Sequence, residues 1–191
     1  DKKLIKYLIK HKHTSTLEHC SVTFRFKVPL FIRSQHHRHR TWSYNEISRR
    51  YTDFNIKFYE PKEFRTQHES NRQASSENEK INPKVYSQEH QTKVDADWII
   101  RHHHKRALQL FDELLEAGVC REQARGVLPQ NMYTEYYGTV NLNNLLKFIN
   151  LRTHEGAQWE IQRVAKACKE IASHLYPLTI MAYDKIRDEN N

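Results

Sequence analysis

The sequence predicts an α+β fold: an antiparallel sheet with helices packed against it, in a single domain over residues 1–191. Three observations carry that class. Strict apolar/polar alternation, the mark of a half-buried strand, appears only early in the chain and at closely spaced positions. Helical periodicity dominates the second half, so strands and helices are segregated rather than interleaved as a parallel sheet requires. With 191 residues, 38% of them hydrophobic, the chain can bury one core, and no internal repeat divides it.

The elements follow in order. Leu4, Ile5, Leu8 and Ile9 recur one turn apart and predict a short amphipathic helix. In SVTFRFKV, Val22, Phe24, Phe26 and Val28 line one face and Ser21, Thr23, Arg25 and Lys27 the other, a half-buried strand. Pro29 can end that strand and seat itself at the first position of a helix over 30–37, where its missing N–H costs nothing. That helix delivers Gln35 and Arg38 to its C-terminal end. Residues 55–60 alternate again, pairing Ile56 with Phe58, and predict a second strand that Pro61 ends. From Thr66 to about Lys93 the chain has almost no apolar anchor and predicts a polar surface loop; the functional alternative is a lid that closes over a ligand.

Ile99, Leu108, Phe111, Leu114 and Leu115 then mark a long helix with Gly118 as its C-cap. A short helix runs from Glu122 to Leu128 and halts at Pro129. Leu142, Leu145, Leu146 and Ile149 form the stripe of a third, with Asn141 as N-cap. Trp159, Val164, Cys168, Ile171 and Leu175 form the last, ended by Pro177.

The formal net charge of +8 calls for an anionic partner. A sequence-independent nucleic-acid surface is one candidate, but acidic residues are interspersed and no helix-turn-helix, RNP or zinc-finger pattern is present. Histidines cluster at 11–19, 36–39 and 102–104 without H-E-x-x-H or paired-cysteine spacing, so no metal site is expected. No segment is apolar enough to span a bilayer and no signal peptide is evident; a cytoplasmic protein without a membrane partner is expected. Three scattered cysteines, Cys20, Cys120 and Cys168, agree with free thiols in a reducing compartment, Cys120 and Cys168 as helix-packing residues.

The most informative stretch is RHRTWSYNEISRRY, residues 38–51, which gathers four arginines among hydroxyl, amide and carboxylate groups. Arginine forks suit phosphate, and Ser48 with adjoining backbone N–H groups can complete a phosphate nest. Glu46 and Asn45 can read sugar hydroxyls or a base edge. Arg125 and Arg152 lie in otherwise apolar segments and suggest convergence on a multiply charged anion.

Arg38-His39-Arg40, seven residues, then Ser48 resembles the signature of the flavin-dependent thymidylate synthase family. The likeness extends to KHTSTLEHCSVTFRFKVPLFIRSQHHRHR, to ARGVLPQNMYTEYYGTVNLNNLLKFINLRTHEGAQWEIQRVAKA and to the polar loop FRTQHESNRQASSE, and it displaces the nucleic-acid and metal readings. It implies an enzyme converting dUMP to dTMP, with methylenetetrahydrofolate as carbon donor and NADPH as reductant through bound FAD. It also implies a homotetramer with active sites shared between subunits. Position by position, it implies Gln35, His36, His37, Arg38, Glu46, Ile47, Ser48, Arg49, Arg50, Arg125 and Arg152 as substrate contacts. His13, Ser15, Arg38, His39, Arg40, Glu46, Asn141, Asn143 and Lys147 are the implied flavin contacts. Arg152 is the implied catalytic arginine, touching the pyrimidine and favouring its ionisation.

The chain departs from the family pattern at Asn143 and Lys147, where Arg and Asn are usual, and at Arg49, often Gly. The strand and helix that usually open the family are expected to be absent, and the 66–93 segment is expected to serve as an active-site loop. A non-catalytic nucleotide-binding homologue is the alternative function.

Overall fold

The computed structural model describes residues 1–189 except Arg49, Asp53, Phe54 and Gln73. The fold is α+β with antiparallel sheets and helices, as the periodicities predict. It divides into two compact units: residues 1–25, 36–44 and 137–191, and residues 26–35 and 45–136.

The first unit opens with α1 (Lys2–Lys10) and α2 (Ser15–Glu18). Strand β1 (Ser21–Pro29) alternates exposed and buried residues along the predicted face and ends in the second unit, to which α3 (Leu30–His36), following directly, belongs but for His36. Pro29 thus closes the strand rather than opening the helix. β2 (Ser43–Glu46) comes from within the arginine-rich stretch.

The second unit holds β3 (Phe64–Gln67), β4 (Ser75–Ile81), β5 (Lys84–Ser87) and β6 (Thr92–Asp95). β3 pairs antiparallel with β4, and β5 with β6. The segment expected as an irregular polar loop therefore carries two hairpins; its backbone groups find partners in each other even though its side chains supply almost no core. Conversely, 55–60 does not extend into a strand. Asn55 sits in the left-handed region at φ 56° and Pro61 removes a donor, leaving one isolated bridge, Phe58 to Met132.

α4 (Ala96–Glu116) ends as predicted at Gly118, whose φ of +86° lets Val119 N–H reach Leu114 O and Gly118 N–H reach Leu115 O. This paired closure satisfies two carbonyls the helix leaves open. α5 (Arg121–Ala124) and a 3₁₀ turn (Arg125–Val127) complete the predicted short helix. Phe111, Ala124, Leu128 and Met132 form this unit's core, with Ile56, Phe58 and Leu108 packed against it.

β7 (Tyr133–Asn141) is a strand that the periodicities did not predict. It is the middle strand of a three-stranded sheet ordered β1-β7-β2. α6 (Leu142–Arg152) follows at once, capped by Asn141, whose Oδ1 accepts from Asn144 N–H at 2.9 Å. α7 (Trp159–Leu175) packs on α6, and α8 (Pro177–Glu189) packs on α7 and α1. Pro177 begins α8 as well as following α7, the placement its fixed φ favours. Phe148, Ile149, Leu145, Ile161 and Ala165 are fully buried here.

Candidate functional site

In the first unit the Arg-His-Arg turn rests on an aromatic platform. His36, at 0% exposure, lies edge-on to Trp42 (4.5 Å) and Tyr44 (5.3 Å) and against Phe148 (4.9 Å). The Tyr44 hydroxyl is shared between the carbonyls of His36 and His39, at 2.9 and 3.1 Å, which fixes the backbone on either side of Arg38. His39 meets Phe148 edge-on at 4.9 Å, and its Nε2 accepts from Arg152 Nε at 3.0 Å.

That hydrogen bond requires an unprotonated Nε2. Burial, then the Arg152 charge, push His39 down to about 4, so the imidazole is neutral near pH 7. His36 is pushed down to about 3, by burial first and then by His39, His37 and Arg152. Burial, and then the neighbouring Arg38 charge, hold Arg152 below its ordinary range. Among the described residues no carboxylate pairs with Arg38, Arg40, Lys147 or Arg152. Two guanidiniums with like charge and no anion form a receptor for one. With Nε taken up by His39, the terminal nitrogens of Arg152 are left to meet a planar acceptor.

The flavin contacts implied by the sequence fall into this unit, Glu46 apart. Arg38 and Arg40 are exposed at the turn, His13 follows α1, and Ser15 opens α2. Asn141 has its Oδ1 spent as a cap, which leaves its amide donors. Lys147 lies on a mostly apolar groove of about 460 Å³ lined also by Lys12, Leu17, Leu146, Tyr183 and Arg187. Cations such as Lys147 and amide donors of this kind suit a flavin's diphosphate and ring carbonyls, while Arg187 is paired with Asp188 at 3.9 Å. Asn143 also lines the groove but is buried, its Nδ2 donating to Glu18 Oε1 at 3.0 Å. That amide ties α6 to α2.

The second unit contains a cleft of about 500 Å³ whose lining includes Arg33, Glu46, Ile47, Ser48, Arg125 and Thr134. Glu46 Oε1 accepts from Thr134 Oγ1 at 2.7 Å and lies 3.2 Å from Arg33 Nε. Ser48 Oγ accepts from Arg50 N–H at 3.3 Å, which leaves the hydroxyl proton to donate. The expected nest of N–H groups is smaller than foreseen, because Ile47 N–H donates to Glu135 O at 3.0 Å. Arg125 is exposed and opens the 3₁₀ turn; Arg50 forms a surface pair with Glu122 at 3.7 Å. Gln35 is half-buried in the last turn of α3. Arg49 lies outside the described residues.

Of the remaining expected contacts, His36 belongs to the core, and His37 stacks on Tyr44 at 4.0 Å. Sequence reasoning missed Tyr44, Arg33 and Thr134. Alternation at Thr134, Tyr136 and Val140 marks β7 in retrospect, but the flanking helical stripe masked it. Cys168 is buried and its thiol pushed up to about 12, whereas Cys120 is exposed, against the expectation of a packed residue. Among the described residues no group of three His, Cys, Asp or Glu side chains is placed to hold a metal, and no helix is long and apolar enough to cross a membrane.

A family model described as thymidylate synthase complementing protein matches residues 1–178. The chain is 40% identical over 185 residues to a flavin-dependent thymidylate synthase of Thermus thermophilus, covering 97% of this chain and 64% of that protein. It is 39% identical to that of Kosmotoga olearia, covering 96% of this chain and 76% of the relative. A solved UMP/dUMP methylase from Streptomyces cacaoi, bound with 5-Br dUMP, superposes with a TM-score of 0.80 at 31% identity, over 96% of this chain and 79% of that one. The chain thus spans somewhat under two thirds of the Thermus relative's length. The match over most of its residues, together with the Arg-His-Arg turn and the anion-seeking Arg38 and Arg152, places this chain in the flavin-dependent thymidylate synthase family.

Proposed function

We propose that the protein converts dUMP to dTMP, taking the carbon from methylenetetrahydrofolate and reducing equivalents from NADPH through FAD. The observation that carries this is the Arg152 geometry: a guanidinium oriented by a neutral His39, crowded by Arg38 and without a carboxylate partner among the described residues. A cation already fixed in place stabilises negative charge developing on a pyrimidine without reorganising. In the other unit, Ser48 and Arg125 offer a donor and a cation for a phosphate, and Glu46 an acceptor for a sugar hydroxyl.

Residues with the character a flavin needs are Arg38, Arg40, His13, Lys147 and Asn141; bound there, the flavin supplies hydride-transfer chemistry. The thiols do not compete for the role of nucleophile. Cys168 is buried and held protonated, a poor nucleophile, and neither Cys20 nor Cys120 lines the groove at Lys147 or the cleft at Glu46. The related structure bound with 5-Br dUMP supports a uridylate substrate. The active assembly is a homotetramer whose subunits share their sites. Exposed apolar side chains on one chain, Leu151, Leu175 and Met181, supply surface for such packing.

The test is dTMP formation by the purified full-length protein with dUMP, methylenetetrahydrofolate, FAD and NADPH, alongside its visible spectrum. A yellow, tetrameric, active protein is expected. A protein that binds dUMP yet neither takes up flavin nor turns over would instead be a non-catalytic homologue.

A further inference from the structure

The Glu46 carboxylate is held unevenly. Both of its contacts fall on one oxygen: Thr134 Oγ1 donates to Oε1 at 2.7 Å, and Arg33 Nε lies 3.2 Å from the same atom. The arginine contact is an ion pair rather than a directed hydrogen bond, since Nε has no aligned acceptor. Oε2 has no partner among the described residues. The three side chains line one cleft with Ser48 and Arg125, the groups suited to an anion.

A bare carboxylate in such a cleft opposes the ligand it serves. Unit charges a few ångströms apart near a protein surface interact strongly enough to govern occupancy. We propose that Arg33 and Thr134 are positioning residues of the substrate cleft, acting through Glu46. Arg33 offsets the carboxylate's charge so that a phosphate is admitted, and Thr134 holds Oε1 so that Oε2 is the acceptor offered to a ligand hydroxyl. The ligand class is a phosphorylated sugar, its phosphate toward Ser48 and Arg125 and a hydroxyl toward Glu46. This rests on the dUMP reading above and adds two residues, Arg33 and Thr134, that the family resemblance did not supply.

The two roles separate by probe. Inorganic pyrophosphate has the charge and lacks the sugar hydroxyl; dUMP has both. Binding of each is measured by calorimetry on the full chain and on R33Q, T134V, T134S, E46Q and R33Q/E46Q, with a thermal melt on every variant. R33Q should weaken both probes about tenfold, and the loss for pyrophosphate should largely disappear in R33Q/E46Q. T134V should weaken dUMP about fivefold and leave pyrophosphate unchanged, with T134S restoring dUMP.

An equal cost of R33Q with and without the Glu46 charge would overturn the offsetting role. Wild-type dUMP affinity in a folded T134V would overturn the aiming role. Wild-type protein that binds pyrophosphate but not dUMP would refute the dUMP reading while leaving the Arg33 role standing, and binding of neither probe would refute both.

Discussion

The region around Arg152 and the cleft around Glu46 both carry arginines suited to an anion, yet they hold them by different means. Arg152 is steered by His39, which stands against Phe148, while Tyr44 clamps the adjoining turn; three aromatic side chains there are core residues or nearly so. The Glu46 cleft is organised by polar contacts of the partly exposed Glu46 and Arg33 with a buried Thr134, and by charge compensation. Preorganisation by packing couples function to stability, whereas preorganisation by surface ion pairs couples it to ionic strength and affinity. Substitutions in the first region should therefore affect folding and turnover together, and those in the second should alter binding alone.

The largest effect expected is from Phe148→Ala. The side chain is at 0% exposure and supports His36, His39 and Trp42, so its loss should cost about 3–5 kcal/mol in urea denaturation. A cost below about 1 kcal/mol would break the comparison, because the platform would then not depend on packing. Next is Arg152→Ala, expected to lower dTMP formation about 10²–10³-fold while bound FAD survives, with Lys restoring only part for want of the planar fork. Near-normal turnover would reduce Arg152 to a surface arginine.

The pH dependence of stability sharpens the contrast. His36 and His39 titrate at about 3 and about 4 in the folded protein, below the usual 6.5. Between those values the unfolded chain binds more protons, so stability is full above about pH 6.5 and is lost as pH falls toward 4 and then 3. The loss should amount to a few kcal/mol across that window, and His39→Gln should flatten its upper part. An unchanged profile in His39→Gln would show that His39 is not held neutral.

Smaller effects belong to the cleft. Arg125→Gln or Ser48→Ala should raise the KM for dUMP about tenfold, a loss near 1.4 kcal/mol, with the melting temperature unmoved. A fall in melting temperature of several degrees would show that the cleft too is a packing element. Smallest is Gly118→Ala, which forces a Cβ into φ +86° and should cost about 1 kcal/mol without touching binding.

How much was legible beforehand varied with the range of the interaction. The alternation of β1, the stripe of α6 with its Asn141 cap, and Gly118 after α4 are local patterns, set by neighbours a few residues apart, and the structure shows each of them. The reading failed where a partner distant in sequence decided. β7 carries one glycine, three tyrosines and one valine among polar residues, and it is a strand because β1 and β2 flank it. The polar 64–95 stretch forms hairpins because each segment finds its complement across a turn, which composition does not reveal.

The site divides along the same line. From the sequence alone came the inventory of charges: Arg38, His39, Arg40, Glu46, Ser48, Arg125 and Arg152, residue types whose chemistry is fixed before folding. Tertiary structure alone decided their states. It buried His39 beside Arg152 and so made it a neutral acceptor, took His36 into the core, turned Asn143 to Glu18, and set Arg33 and Thr134 on one oxygen of Glu46. The reason is physical: covalent identity sets what a group can donate or accept. Protonation, orientation and pairing depend on the dielectric and on partners that only the folded chain brings within a few ångströms.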